Sequence, residues 1–366
     1  MSFDDQRFMA QAIRLGALGR YTTHPNPCVG CVIVQRGQVV GEGYHVLAGE
    51  GHAEANALAQ AGEASKGSTV YVTLEPCSFH GRTPSCAEAL IKADVARVVV
   101  ACEDPDGRNA GRGLTKMKDA GIVVDLLPST SADRLIEGHR KRYLEDKPFV
   151  RLKLAMTLDG KIALGNGESR WITSPESRAD VQKLRAESAA IVTGAQTVID
   201  DDPSLRVRAE MPRVKHRAEA IALDRPIYIL DSTLRVPEHV RLLKDANAIQ
   251  VCLQGSVLAD RPGNYLEMPA DQGRICLESF VRALADRGHS VVLFECGATL
   301  AGAMLNSKLV DELIIYVAPR LIGTAGRSLL NLPEIDRMSD VLDLSLNDVR
   351  LIGPDIRISA SREQVR

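Results

Sequence analysis

The chain has 366 residues, too many for one ordinary domain, so two or three are expected. It is 45% hydrophobic and 25% charged, with 4% aromatics and a net charge of −2. That balance suits a globular protein and lacks the basic excess and stacking rings of a nucleic-acid-binding surface. The first sixteen residues carry acids and no apolar run, so no signal peptide is expected there. No stretch approaches the ~18–20 apolar residues of a membrane span. The eight cysteines are irregularly spaced, which fits a reducing cytoplasm better than a disulfide framework.

In chain order, Ser2, Asp4 and Asp5 make a helix start, and Phe8, Met9, Ala12, Ile13 and Leu15 give it an apolar face, ended by Gly16 and Gly19. Residues 28–35 and 38–44 read as a hairpin turning at Arg36-Gly37. Residues 52–61 are alanine-rich and helical, 69–74 a strand, and 84–93 a helix with proline near its first turn. Then follow a strand at 97–102, a helix at 115–120, a strand at 122–127 and a helix at 132–144. This alternation predicts an α/β sandwich around one sheet. Asp146-Lys147-Pro148 breaks the rhythm, giving two expected domains, 1–147 and 148–366. In the second, strands are expected at 149–155, 189–193, 227–230, 249–253, 290–295, 312–317 and 356–360. Helices are expected at 175–186, 277–287 and 299–306. The basic stretch 206–225 reads as a surface loop.

The chemistry-bearing stretch combines Gly51-His52-Ala53-Glu54 with Leu74-Glu75-Pro76-Cys77 and Cys86. One histidine and two cysteines are the ligand set of a catalytic zinc that keeps a fourth position open. Glu54 is then placed to move protons rather than to bind metal. His-x-Glu followed by Pro-Cys and a second cysteine is the pattern of zinc-dependent base deaminases, in which an activated water attacks an amino-bearing ring carbon. Eight residues separate Cys77 from Cys86, more than in the short Cys-x-x-Cys form. The set survives if 78–83 loops out and Cys86 lies in the first turn of a helix starting near Pro84. The competing reading is a structural zinc completed by His80. Cys28-x-x-Cys31 has zinc-knuckle spacing but lies in an apolar strand without a second pair, so both are read as packing cysteines.

Together, Thr23-His24-Pro25-Asn26-Pro27, Gly41-Glu42-Gly43-Tyr44-His45, His52-Ala53-Glu54, residues 73–83 and Ala110-Gly111-Arg112-Gly113 resemble the bifunctional riboflavin-biosynthesis deaminase/reductase family. The second half agrees, through residues 152–161, Ser169-Arg170-Trp171-Ile172-Thr173 and Asp201-Asp202-Pro203. The resemblance implies a cytidine-deaminase-like three-layer sandwich followed by a dihydrofolate-reductase-like α/β domain. It implies zinc-dependent deamination of 2,5-diamino-6-(5-phosphoribosylamino)pyrimidin-4-one, then reduction of the ribosyl chain to ribityl with NADPH. By position it makes His52, Cys77 and Cys86 the zinc ligands, Glu54 the proton shuttle, and Asn26, His45 and Arg82 substrate contacts. Arg82 would read the substrate phosphate, against the alternative of a solvated loop arginine. Pro84-Ser85-Cys86 departs from the two prolines of many relatives.

No Gly-x-Gly-x-x-Gly follows a strand in the second half. Cys296-Gly297-Ala298-Thr299, between a strand and a helix, is the pyrophosphate candidate. The resemblance adds Ala155, Trp171, Thr197, Asp201 and Ser232 as cofactor contacts beside Gly297, Ala298 and Thr299. It makes Ser169, Arg185, Leu205, Arg208 and Glu295 substrate contacts, and Lys153 with Glu295 candidates for protonation or ribose contact. Trp171, the single tryptophan, either covers the nicotinamide or packs in the core. The expected partner is a small phosphorylated pyrimidine, with no nucleic acid or membrane and with a homo-oligomer as the assembly. Two other readings stand beside this one: a nucleotide- or tRNA-directed deaminase with an unrelated C-terminal domain, and a non-catalytic zinc-stabilised binding protein.

Overall fold

The Ser2 hydroxyl accepts the Asp5 amide (3.1 Å) while the Asp5 carboxylate accepts the Ser2 amide (2.9 Å), and this reciprocal cap starts α1 (Phe3–Gly16). The computed structural model describes residues 2–81, 84–256 and 263–362. Its chain divides into one unit of Met1–Lys147 with Val214–Ala220 and another of Pro148–Arg213 with Ile221–Arg366.

In the first unit, β1 (Gly30–Gln35) and β2 (Gln38–Tyr44) form the expected hairpin. After α2 (Ala53–Ala61) come β3 (Thr69–Val72), α3 (Cys86–Lys92), β4 (Arg97–Val100), α4 (Arg112–Asp119) and β5 (Val123–Leu126). The sheet order is β2-β1-β3-β4-β5, with β3, β4 and β5 parallel. The two-residue period of β1 sorts its side chains. Cys31 and Ile33 join Ala53, Ala57, Ala87, Leu90 and Met117 from the helices on one face. Val32 and Val34 join Phe8, Met9 and Ala12 of α1 on the other. The result is the three-layer sandwich the resemblance implied. The helix expected at 132–144 is two, α5 (Thr130–Leu135) and α6 (Glu137–Glu145), because Ile136 leaves the helical region (φ −116°, ψ 14°) to bury its side chain in the α1-side core.

The second unit begins with β6 (Phe149–Thr157), β7 (Lys161–Ala163), α7 (Pro175–Glu187), β8 (Ala190–Gly194) and α8 (Ala195–Asp201). Next come α9 (Arg217–Ala222), whose last two residues belong to this unit, then β9 (Ile227–Leu230), β10 (Ala248–Leu253), β11 (Tyr265–Met268), β12 (Ala270–Asp271) and β13 (Arg274–Ile275). The rest comprises α10 (Leu277–Asp286), β14 (Val291–Glu295), α11 (Ala298–Asn306), β15 (Glu312–Ala318), β16 (Arg327–Ser328), β17 (Leu344–Ile352) and β18 (Asp355–Arg362). Nine strands make one sheet in the order β11-β10-β9-β8-β14-β6-β15-β18-β17. Those from β11 to β15 are parallel, and β18 and β17 add antiparallel at the end. Apolar side chains cover both faces: Phe280, Leu284, Ala301 and Met304 on one, Val181, Leu184 and Val198 on the other.

Two expectations need correction here. The stretch 206–225 is not simply a solvated loop, since it contains the whole of α9 and its arginines have internal work. Arg206 bonds Asp245 (2.6 Å), and buried Arg225 donates to the carbonyls of Ala186, Ser188 and Leu223 (2.8–3.0 Å). Its bonds to Ala186 and Ser188 close the C-terminal end of α7, where carbonyls lack helical partners. The long strand β17 was not expected, because Leu344, Leu346, Val349 and Leu351 are exposed and a bulge near Asn347 interrupts their spacing.

Candidate functional site

The first site is built where the C-terminal end of β3 meets the starts of α2 and α3. His52 is the residue before α2, in extended conformation, and Glu54 is one turn-forming step inside the helix. Cys77 lies in the loop after β3. The helix carrying Cys86 starts at Cys86 itself, with Ser85 as its cap, rather than near Pro84. Its first turn is fastened onto Cys77. The Ser85 hydroxyl (2.9 Å) and the Ala87 amide (3.1 Å) both donate to the Cys77 carbonyl, and the Cys86 amide donates to Cys77 Sγ (3.3 Å).

His52 Nδ1 stands 3.7 Å from Cys77 Sγ and 3.4 Å from Cys86 Sγ, and all three donor atoms lie within 4.8 Å of one another. A tetrahedral zinc with ordinary Zn–S and Zn–N lengths sets its N and S donors about 3.5 Å apart, so this set fits the ion and leaves a fourth position for water. Hydrogen bonding from Cys86, against the cost of burial, with further help from His52, pulls the Cys77 thiol down to about 4. The bond to Cys77 raises His52. The bond to Cys77 and burial push the Cys86 thiol up in turn, so the pair shares a single negative sulfur, on Cys77.

Glu54 is 3% exposed. Burial first, then the neighbouring Cys77 thiolate, push its carboxyl up to about 7. A group of that pKa can take a proton and return it near neutral pH. His45 and Asn26 stand beside these ligands. The His45 ring packs edge-on to His52 with centroids 5.3 Å apart, its Nε2 lies 3.0 Å from Asn26 Nδ2, and its Nδ1 lies 3.1 Å from the Gly51 carbonyl. Burial lowers its pKa, so the neutral ring is favoured. His80 faces Glu88 (3.2 Å) and is largely exposed, so the four-ligand alternative finds no further donor among the described residues. Cys31 is buried in β1 and Cys28 Sγ meets Thr23 Oγ1 (3.4 Å), as packing residues do. Arg82 lies outside the described residues.

The second site lies at the carboxyl ends of β8, β9 and β14, the position where open parallel sheets bind ligands. A cleft of about 920 Å³ there is lined by Thr197, Asp201, Ser232, Gly297, Ala298 and Thr299. Gly194 and Gly297 precede α8 and α11, and neither helix start has a side-chain cap, which leaves backbone N–H groups facing the cleft for a phosphate. The start of α11 is Ala298, one residue earlier than expected. Burial, then Glu295, push the Cys296 thiol up to about 12, so it is a neutral packing group.

Residues 2–102 match the cytidine and deoxycytidylate deaminase zinc-binding region, and residues 148–358 match the RibD C-terminal domain. The riboflavin biosynthesis protein RibD of Escherichia coli is 44% identical over 360 residues, covering 96% of this chain and 98% of that one. RibD of Haemophilus influenzae is 45% identical, with coverages of 98% and 97%. This chain belongs to the RibD family. Among solved structures, Acinetobacter baumannii RibD superposes with a TM-score of 0.91 at 42% identity, covering 99% of both chains. The Thermotoga maritima deaminase/reductase superposes at 0.82, with 28% identity and coverages of 98% and 99%. A deaminase with an unrelated C-terminal domain is thereby set aside.

The remaining residues expected at the second site fall into place unevenly. Ser169, expected at the substrate, lines the same cleft as Thr197, Asp201 and Ser232, with its hydroxyl 3.5 Å from Asp201 Oδ1. Trp171 is 58% exposed under the Arg178 guanidinium (4.5 Å), which removes the core alternative. Ala155 is half-buried on β6. Leu205 is buried, while Arg208 is half-exposed and loosely paired with Glu210 (3.7 Å). Arg185 is not free to the solvent: it grips Glu295 through two bonds (2.6 and 3.1 Å), with Nη1 on the Arg206 carbonyl (3.1 Å). Lys153 Nζ stands 4.0 Å from the same carboxylate. Burial pulls the Lys153 ammonium pKa down, opposed by Glu295. Burial works against ionisation of Glu295, yet Arg185 and Lys153 hold it below its ordinary value.

Glu75 is the residue that sequence reasoning passed over. Two positions before Cys77, its buried carboxylate accepts the amides of Asp104 and Gly111 (both 3.0 Å) and those of Gly113 and Leu114 (2.9 and 3.3 Å). It thus satisfies the N-terminal donors of α4 and pins that helix under the Cys77 loop. Gly113 permits the approach, since a Cβ there would lie 2.1 Å from the Pro76 carbonyl. Gly113→Ala and Glu75→Gln should each cost about 1–3 kcal/mol, by overpacking and by stranding amide donors respectively. Thermal melts read together with zinc content check this. Unchanged melting and full zinc in both variants would remove the support role.

Proposed function

We propose that the chain removes the ring amino group of 2,5-diamino-6-(5-phosphoribosylamino)pyrimidin-4-one in its first unit. In its second, it reduces the ribosyl chain with NADPH, giving 5-amino-6-(5-phosphoribitylamino)uracil for riboflavin synthesis. The observation that carries this reading is the convergence of His52, Cys77 and Cys86 on one point beside buried Glu54, in a chain alike to RibD proteins from end to end.

His52, Cys77 and Cys86 would hold the zinc, which when bound would supply an acidified water for the attack. Glu54 accepts a proton from that water and delivers it to the departing amine, a task its near-neutral pKa suits. Asn26 and neutral His45 orient the pyrimidine edge, and Arg82 takes the phosphate. In the second unit NADPH supplies the hydride. The backbone at Gly297, Ala298 and Thr299 would hold its pyrophosphate, and Ala155, Trp171, Thr197, Asp201 and Ser232 would be its further contacts. Ser169, Leu205 and Arg208 meet the substrate, Arg208 as the half-exposed cation for its phosphate. Lys153 and Glu295, one beside the other, handle the proton at the ribose oxygen, and Arg185 fixes Glu295 for that role.

We place the boundary between the activities at Lys147/Pro148, giving a deaminase domain of 1–147 and a reductase domain of 148–366. A fragment starting at Pro148 should fold and bind NADPH; an insoluble or non-binding fragment would reject the boundary. The enzyme is read as cytoplasmic, where its paired site thiols stay reduced, and as free of nucleic-acid or membrane partners. It is read as a homo-oligomer, with the exposed apolar side chains of β17, Leu344, Leu346, Val349 and Leu351, as the surface that favours self-association. A coupled assay following ammonia release and NADPH oxidation separately tests the function: no ammonia from the diaminopyrimidine would refute it.

A further inference from the structure

Asn56 lies two residues beyond Glu54 on α2 and belongs to none of the roles above. Its amide nitrogen donates to two carbonyls at once, Tyr44 at 2.9 Å and Gly51 at 3.2 Å. Tyr44 is the last residue of β2, and Gly51 is the residue before His52. Asn56 therefore ties together both ends of the 45–51 turn, which carries His45 at one end and leads into the His52 ligand at the other.

The Gly51 carbonyl has a second partner, His45 Nδ1, at 3.1 Å. A carbonyl only accepts, so Nδ1 must carry the proton, and Nε2 is left as an acceptor in the neutral ring. Asn26 Nδ2, 3.0 Å from Nε2, is the matching donor. The rotamer and tautomer of His45 thus depend on where the Gly51 carbonyl points, and Asn56 holds that carbonyl. Space reinforces the arrangement. A Cβ on Gly51 would come 2.7 Å from Asn56 Oδ1, and one on Gly43 would come 2.2 Å from the Ala53 carbonyl, so α2 lies directly against both the end of the turn and β2.

We infer that Asn56 is a positioning residue of the deaminase: through the Gly51 carbonyl it fixes the orientation and the Nδ1–H tautomer of His45. The inference rests on the proposed deaminase reading, in which His45 meets the pyrimidine. Oriented support of this kind contributes to the rate by holding contact groups in productive geometry, where small misplacements are costly.

The test uses the full-length, zinc-loaded protein. Asn56→Asp keeps shape and volume but replaces the donor with an oxygen facing two carbonyls. Asn56→His restores one N–H at the same distance from Cβ. Asp should lower kcat/KM for ammonia release at least tenfold, with NADPH oxidation on deaminated substrate within twofold of the parent. The His45 ¹⁵N ring shifts should lose the Nδ1–H pattern. His at 56 should recover most of the rate and that pattern. If the Asp variant loses zinc or solubility, the His variant decides: recovery upholds the donor role, and a defect equal to that of Asp overturns it. Wild-type-like kcat/KM in the Asp variant, or an unchanged tautomer, overturns it as well. Absence of ammonia release by the parent protein would instead reject the deaminase reading, so the two failures are distinguishable.

Discussion

Replacing Glu54 with glutamine is expected to abolish ammonia release while zinc stays bound and the reductase runs at its normal rate on deaminated substrate. The ligand set does not include position 54, and glutamine fills the same buried volume. What disappears is a carboxyl whose pKa sits near 7 because burial and the Cys77 thiolate disfavour its charge. Positioned proton transfer contributes about 10²–10⁴-fold, so the deaminase rate should fall by at least that factor. Neutralising a buried acid removes a desolvation cost, and the melting temperature should hold or rise. Metal analysis, ammonia release and NADPH oxidation on one preparation check all three. Loss of both activities together would contradict the assignment of separate sites, and loss of zinc would contradict a pure proton-shuttle role.

What could be read from the residues alone follows the range of the interactions involved. His52, Cys77 and Cys86 were legible because metal ligation demands donor atoms of particular kinds, and Glu54 because an acid two residues after such a histidine has few other roles. Even the long 78–85 interval resolves locally: Ser85 caps α3 and turns Cys86 back onto Cys77. The hairpin at Arg36-Gly37 and the cap at Ser2 are likewise local, and both appear where expected. Three features escaped for the opposite reason. Glu75 receives its amide donors from residues 29–39 positions later, and nothing in its own neighbourhood announces them. Ile136 breaks a helix because the core on the α1 side has room for its side chain, a tertiary demand that overrides local propensity. The strand β17 hides its period because its apolar residues face outward at the end of the sheet and a bulge shifts their register.

The pairing of Arg185 with Glu295, 110 residues apart, belongs to the same long-range class and carries the second large expectation. Both side chains are about 10% exposed, and the guanidinium holds the carboxylate through two short bonds. Arg185→Ala leaves Glu295 buried without a bonded guanidinium, with Lys153 at 4.0 Å and the more distant Arg208 compensating its charge in part. Removing one partner of such a pair costs about 3–5 kcal/mol, so melting of the second unit should drop by roughly 6–20 °C. NADPH oxidation should fall with it, while ammonia release, whose groups lie in the first unit, continues. A second variant separates folding from chemistry. Arg185→Met combined with Glu295→Gln removes both charges together, which is often close to neutral for stability. The double variant should therefore recover most of the melting temperature and yet stay inactive as a reductase, because no carboxylate remains beside Lys153. Recovery of the reductase rate along with stability would mean that the pair only supports the fold; full stability in Arg185→Ala would mean that it does not support even that.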